Sequence, residues 1–243
     1  MCFGVIGHQN LKPFLIFLKF YNKTYSSEMC INKEVSLAVF VVVTILNILL
    51  IIYFEMNLMV ILWVIIIEYI ILMQLIDYLL WTNKECGDKN RKISIYGMIL
   101  NILQPVVIYL VFIFMLDIEI HYKIIATIII FAYIFYIIYS TATKNPKIGT
   151  NCVSYECDRI NYYWWDLSNP LMSPLVYLTV LFLMIILLVR PFKLALGAIT
   201  VIFGTLVISI LLTKGKCVGG IPSVWCLCAV VLPIFIFLYF YFN

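Results

Sequence analysis

Polar side chains lie near the middle of three of the most apolar stretches of this sequence. They are Asn47, Glu68, Asn101 and Gln104. A charged group at the centre of a bilayer costs roughly 2.5 to 3.5 kcal/mol on insertion scales, so such residues normally face other helices. Two kinds of chemistry fit them: a proton or ion site in which Glu68 titrates, or interhelical hydrogen bonds in which amides hold a neutral Glu68.

A second carboxylate, Asp77, lies in the same apolar stretch as Glu68. At about 100° per residue, the two side chains project from opposite faces of a helix. Asp77 is also nearer the end of the stretch. We therefore expect it to be hydrated or paired with a loop lysine, and not to join the other polar residues. Pro105 lacks a backbone N–H and so frees a carbonyl next to Gln104.

Several cysteines are expected on one side of the membrane, which raises the question of a metal site. Four converging thiolates could hold a structural zinc, but no Cys-x-x-Cys pair occurs and the spacing fits zinc poorly. A disulfide is disfavoured in reducing cytosol. We therefore predict unconnected thiols, no metal and no cofactor. The possible cytoplasmic cysteine cluster is Cys30, Cys86, Cys152, Cys157 and Cys217.

An aromatic run precedes one apolar stretch, in the segment Asn161–Pro170 (NYYWWDLSNP). Aromatic residues next to a membrane-spanning helix usually form an interfacial belt. That interpretation is favoured over a ligand-binding platform.

The composition predicts an all-α polytopic membrane helix bundle. Of the 243 residues, 65% are hydrophobic and 12% charged, against roughly 45 to 50% and 25% in soluble domains. Seven segments of suitable length for a bilayer are predicted: Ser36–Phe54, Leu58–Trp81, Ile93–Leu116, Ile124–Ser140, Leu171–Val189, Leu194–Thr213 and Ile221–Phe242. The fourth is the shortest.

Ahead of these segments, residues 1–28 are predicted to be an N-terminal extension, and residues 29–243 the seven-helix transmembrane domain. The apolar run Phe14–Phe20 contains Lys19 and is followed by no small-residue cleavage site, so it does not fit a signal peptide. It could lie at the membrane interface as a short amphipathic helix. A loosely ordered extension is the favoured alternative.

The lysine and arginine residues predict the orientation. Three of the 16 lie on the side opposite the N-terminus, namely Lys123, Arg190 and Lys193. The positive-inside rule therefore places the N-terminus in the cytoplasm and the C-terminus outside. The other thirteen lie on the N-terminal side: Lys12, Lys19, Lys23, Lys33, Lys84, Lys89, Arg91, Lys92, Lys144, Lys147, Arg159, Lys214 and Lys216.

Several activities are contradicted by the residues present. The chain has only two histidines, His8 and His121, too few for the multi-histidine metal site of seven-helix membrane hydrolases. No phosphate loop, Gly-x-Ser-x-Gly elbow or His-Glu-x-x-His motif occurs. The modest net charge of +4 sits in short loops and does not indicate a nucleic-acid surface. An enzyme is therefore the least favoured class.

Four strings in order resemble an uncharacterised family of short multi-pass membrane proteins of giant DNA viruses, protists and bacteria. Members often begin Met-Cys-Phe-Ser. The strings are MCINKEVSLA from Met29, MQLIDYLLW from Met73, ECGDKNRKISIYGMILNILQP from Glu85 and SVWCLCAVVLP from Ser223. Ile31 and Asp77 depart from the family pattern. The resemblance implies an integral membrane protein of a host or viral membrane and leaves its activity open.

Three function classes remain open. A structural or interaction membrane protein explains every feature without requiring a site. A proton, ion or small-solute channel or transporter would use the polar residues at mid-membrane. A receptor-like seven-helix bundle would need a ligand pocket that the sequence does not identify. The lipid bilayer is the one partner that the sequence indicates, and protein partners or a homo-oligomer stay open.

Overall fold

The helices follow the apolar stretches of the sequence closely. The computed structural model describes residues 33–115, 118–144, 152–156, 159–161, 174–213 and 230–242. The predicted all-helical membrane bundle is confirmed in this part of the chain, with a small antiparallel sheet added. The elements are α1 (Lys33–Tyr53), α2 (Leu58–Trp81), α3 (Asp88–Phe112), α4 (Ile120–Lys144), β1 (Ser154–Glu156), β2 (Arg159–Asn161), α5 (Pro174–Leu188), α6 (Phe192–Thr213) and α7 (Val231–Phe242).

By length and composition, five of these helices are suited to crossing a membrane: α1, α2, α3, α4 and α6. The helices α5 and, as far as it is described, α7 are shorter apolar helices. The predicted extension, residues 1–28, lies outside the described residues. So do the first residues of the seventh predicted segment.

Two sequence expectations about the second half of the chain differ from the structure. The fourth helix is not the shortest: α4 has 25 residues, because it continues through Lys123 at one end and through Thr143 at the other. Polar residues at helix ends can reach the membrane surface, so they need not end the helix. The segment Thr141–Pro170, between the fourth and fifth predicted spanning segments, is expected from the sequence to be a polar loop, and it contains the hairpin β1–β2, in which Tyr155 pairs with Ile160.

A tight reversal joins α1 to α2. Glu55 and Met56 have φ angles of 48° and 63°, the left-handed conformation that commonly ends a helix. Asn57 then caps α2, because its Oδ1 accepts hydrogen bonds from the backbone N–H of Met59 at 2.9 Å and of Val60 at 3.3 Å. The short turn makes α1 and α2 antiparallel neighbours.

The helix α2 lies at the centre of the packing. It contacts α1 and α3 most extensively, and it also contacts α7 and β2. Its side chains Val60, Ile67, Ile71, Met73 and Leu80 are completely buried. A helix that is apolar on all sides is normally enclosed by others. Two polar side chains of α2, Gln74 and Asp77, are completely buried with it.

Outer helices present apolar side chains to the surroundings. Ile48 and Ile52 of α1 and Phe131 and Phe135 of α4 are each more than half exposed. Apolar surface of this extent is typical of a membrane-facing or protein-facing surface.

Candidate functional site

The carboxyl group of Glu68 on α2 is held by two side chains of α1. Asn47 Nδ2 donates to Glu68 Oε1 at 2.8 Å, and Thr44 Oγ1 donates to Glu68 Oε2 at 3.2 Å. Asn47 is buried and Glu68 is half-buried. Thr44 and Asn47 project from the same face of α1, because they are one helical turn apart. The arrangement gives each oxygen of Glu68 one hydrogen bond from the neighbouring helix.

Sequence reasoning identified Asn47 and Glu68 but missed Thr44. The signal that could have found it is its spacing, since it lies three residues before Asn47 on the helix that must meet Glu68. Threonine is common in membrane helices, so the spacing identifies it only once the partner helix is known.

Gln104 is hydrogen-bonded to α5 and not to Glu68. Its Oε1 accepts a hydrogen bond from the hydroxyl group of Tyr177, and both side chains are buried. A second phenol contact joins α4 to α3, since Tyr133 donates to the backbone carbonyl of Ile102 at 3.0 Å. The predicted polar residues therefore join different helix pairs: Asn47 and Glu68 join α1 to α2, and Gln104 joins α3 to α5.

Buried amide groups without hydrogen-bond partners lie on α2 and α3. Gln74 is completely buried, and neither its Oε1 nor its Nε2 has a hydrogen-bond partner within the described ranges. Asn101 is 3% exposed, and its Nδ2 likewise has no partner there. Unsatisfied buried polar groups cost about 1 to 3 kcal/mol each. Sequence reasoning included Asn101 among the polar residues expected near mid-membrane, but it did not single out Gln74.

One of the two sequence expectations for Asp77, hydration by bulk solvent near the helix end, does not fit the structure, because its side chain is completely buried. The end of α2 is covered on several sides, since α3 and β2 both contact this helix. The other expectation, pairing with a loop lysine, stays a prediction. The predicted separation from Glu68 follows from helix geometry, since the two residues project from opposite faces of α2.

The loop side of the bundle contains a disulfide bond between Cys86 and Cys152, so the prediction of free thiols is wrong for these two residues. Their Cα atoms are 5.6 Å apart, within the usual range for a disulfide. Cys86 follows α2 and Cys152 precedes β1, and both connections lie at the same end of the bundle. Cys30, Cys157 and Cys217 lie outside the described residues.

Next to Cys152, Val153 is buried, and so is Ile160 of β2. On the neighbouring loop, Asn90 Nδ2 donates to the backbone carbonyl of Asn83 at 2.8 Å, which ties the start of α3 to the end of α2. The aromatic residues Tyr162 to Trp165 lie outside the described residues. The segment between α4 and α5 is thus anchored to the α2–α3 loop at Cys152.

A groove of about 490 Å³ lies between α1 and α7. It is open to the surroundings of the bundle and has almost entirely apolar walls, which suit hydrocarbon better than a polar ligand. Its lining residues are Leu46, Leu49, Leu50, Ile52, Tyr53, Pro233, Ile234 and Phe237.

A metal centre has no support in the described part of the chain, where no three His, Cys, Asp or Glu side chains come together. The chemistry available there includes hydrogen bonds between helices, one disulfide and two carboxyl groups within the apolar helix α2. No protein-family model, curated protein or solved structure matches the chain.

Proposed function

We propose that this chain is a multi-pass integral membrane protein with a structural or interaction role. Its helices would cross the membrane as a bundle with the lipid bilayer as the surrounding partner. The resemblance of four strings to a family of multi-pass proteins of giant viruses, protists and bacteria supports this architecture. It supports no specific reaction.

The observation that carries the proposal is the engagement of Glu68. Both of its carboxyl oxygens accept hydrogen bonds from α1, at 2.8 Å from Asn47 and 3.2 Å from Thr44. A carboxyl group held in this way contributes to helix association, because hydrogen bonds between membrane helices are worth on average about 0.6 kcal/mol each. The Gln104–Tyr177 contact joins α3 to α5 by the same chemistry.

A second candidate function is the passage of protons or ions. It is favoured by the carboxyl group of Asp77, which is completely buried one helical turn from Gln74, whose amide has no hydrogen-bond partner among the described residues. Buried ionisable residues at membrane depth mark ion pathways in many transporters. The structural role is preferred because Glu68 is joined to α1 by two direct hydrogen bonds.

The proposed orientation has the N-terminus and the α2–α3 loop in the cytoplasm, as the positive charges favour. The Cys86–Cys152 disulfide favours the opposite orientation, because disulfides persist in oxidising compartments. The charges decide the proposed orientation, since they act while the chain is inserted. The proximity of the two cysteines is compatible with either orientation, and only their oxidation depends on the compartment.

Proton flux into liposomes separates the two functions. The purified chain is reconstituted with an internal pH dye, and an inward proton gradient is imposed with the membrane potential clamped. The structural role predicts the same flux as empty vesicles for the wild-type protein, for Glu68→Gln and for Asp77→Asn. The matched control is Glu55→Gln, which removes an exposed carboxylate in the α1–α2 turn.

Flux above the empty vesicles would support the second function if Glu68→Gln or Asp77→Asn abolishes it while the helical circular dichroism is unchanged. The Glu55→Gln protein must then conduct like the wild type. That combination of results would overturn the structural proposal.

A further inference from the structure

The relative position of the two buried amides, Gln74 on α2 and Asn101 on α3, follows from contacts at both ends of this helix pair. At one end, the rings of Trp63 and Phe112 lie 5.8 Å apart. At the other, Asn90 donates to the carbonyl of Asn83 at 2.8 Å. The two antiparallel helices are therefore neighbours along their whole length.

Helix periodicity then places Gln74 opposite Asn101. Gln74 lies about three helical turns after Trp63, and Asn101 lies about three turns before Phe112. Three full turns bring a side chain back to the same face of its helix. Because Trp63 and Phe112 face each other, Gln74 and Asn101 occupy facing positions at one level of the α2–α3 interface.

Among the described residues, four polar groups at this level lack their usual partner, two donors and two acceptors. The donors are Gln74 Nε2 and Asn101 Nδ2, and one acceptor is Gln74 Oε1. These three atoms are buried and have no hydrogen-bond partner in the described part of the chain. The second acceptor is the backbone carbonyl of Asn101. Its usual helical donor would be the N–H of residue 105, and Pro105 has none.

We propose that Gln74 and Asn101 bind a water molecule between α2 and α3. A water molecule donates two hydrogen bonds and accepts two, which complements this set of groups. Buried waters typically make about three hydrogen bonds to polar groups that otherwise lack partners. Neutral amides that offer donors as well as acceptors suit water better than a metal cation, which needs acceptors only.

The position of this water has a consequence for α2. Asp77 lies one helical turn after Gln74, and its side chain is completely buried. The bound water therefore lies in the neighbourhood of a carboxyl group inside the bundle. This proposal is independent of the structural role proposed above, since it requires neither transport nor its absence.

Radiolytic hydroxyl footprinting with mass spectrometry tests the proposal, because radicals formed from bound water oxidise nearby side chains that bulk water does not reach. Met98 is the reporter, since it is 6% exposed and lies one turn from Asn101. Met184 on α5 is the internal control and is completely buried. The protein is studied intact in lipid nanodiscs. We expect Met98 to be oxidised several-fold faster than Met184.

The double variant Gln74→Met/Asn101→Leu removes the side-chain partners, and the excess oxidation of Met98 should disappear. Gln74→Met alone should reduce the excess oxidation of Met98, and this single variant replaces the double variant if the latter does not fold. Ser209→Ala on α6 is the control and should leave both rates unchanged. Equal rates for Met98 and Met184 in the wild-type protein would overturn the proposal. An excess that persists in the folded Gln74→Met/Asn101→Leu protein would do the same.

Discussion

Asn47 of α1 donates its side-chain N–H to the carboxyl group of Glu68 of α2 at 2.8 Å, and this contact fixes the relative position of the two helices. Apart from α2, α1 has a smaller contact with α7. Much of its remaining surface is apolar and exposed, as at Ile48 and Ile52. Apolar side chains in lipid gain little from pairing with one another. The polar contact is therefore the directional interaction that selects one alignment of α1 on α2.

The contact between Gln104 and Tyr177 predicts a loss of stability in Tyr177→Phe. The substitution leaves Gln104 Oε1 buried without its donor, and we expect the free energy of unfolding to fall by about 1 kcal/mol. The matched control is Tyr139→Phe on α4, whose side chain is 55% exposed. Unfolding in mixed detergent micelles measures both variants. Equal effects of the two substitutions would contradict the assigned role of Tyr177.

Two glycines of α6 give a matched test of helix packing. A β-carbon at Gly197 would lie 2.6 Å from Cζ of Phe235 on α7, whereas at Gly204 it would meet no atom within 4 Å. Alanine in place of a helical glycine gains up to about 1 kcal/mol. Gly204→Ala should show this gain in the free energy of unfolding.

In Gly197→Ala, displacement of the Phe235 ring should cancel or reverse this gain in the free energy of unfolding. The same micelle unfolding experiment compares the two variants. A second variant, Gly197→Ala with Phe235→Leu, should recover part of the difference because it removes the ring. If Gly197→Ala were as stable as Gly204→Ala, the close contact between α6 and α7 would not exist in the membrane.

The disulfide predicts a specific cross-link in the purified protein. Mass spectrometry without reductant should find the peptides of Cys86 and Cys152 linked, and Cys86→Ser should leave Cys152 free to react with a maleimide. The bond closes a loop with a sequence separation of 66. The chain-entropy relation gives about 4 kcal/mol for such a loop. We expect reduction of the disulfide to lower the free energy of unfolding by less than this, because helices inserted in a membrane already restrict the unfolded chain.

The same cysteines test the orientation in intact cells. With the α2–α3 loop in the cytoplasm, an impermeant maleimide should label Cys86 only after the membrane is permeabilised and the protein reduced. Because Cys86→Ser alone would leave Cys152 reactive, the double variant Cys86→Ser/Cys152→Ser gives the background. Labelling of Cys86 from outside, after treatment with an impermeant reductant, would show that the loop faces outward and that the charge-based orientation is wrong.

The helices could be predicted from the sequence because each apolar stretch is long and ends at polar residues. The segment Leu58–Trp81 was predicted with the bounds that α2 has. The extension of α4 through Lys123 could not be predicted, because a charged residue at a helix end lowers local hydropathy without ending the helix. Hydropathy locates helices well and their polar ends poorly.

Side-chain partners were harder to predict than helices. Asn47 and Glu68 each lie near the middle of an apolar stretch, so each was expected to need a partner. Tyr177 is one of 17 tyrosines, and nothing in its neighbourhood marks it as the partner of Gln104. The Cys86–Cys152 pairing depends on where the hairpin β1–β2 lies, which is a property of the folded chain.

The central claim is that Glu68 joins α1 to α2, and a double-mutant cycle with Asn47 tests it most directly. The free energy of unfolding is measured for Asn47→Leu, Glu68→Leu and the pair, with Asn47→Leu and Ser209→Ala as the control cycle. Glu68→Gln, which keeps the shape and hydrogen-bonding capacity, should be nearly neutral, and Glu68→Leu should cost about 1 kcal/mol. We predict a coupling energy of about 0.6 kcal/mol or more for Asn47 and Glu68 and none for the control cycle. Additive effects of Asn47→Leu and Glu68→Leu would contradict the account.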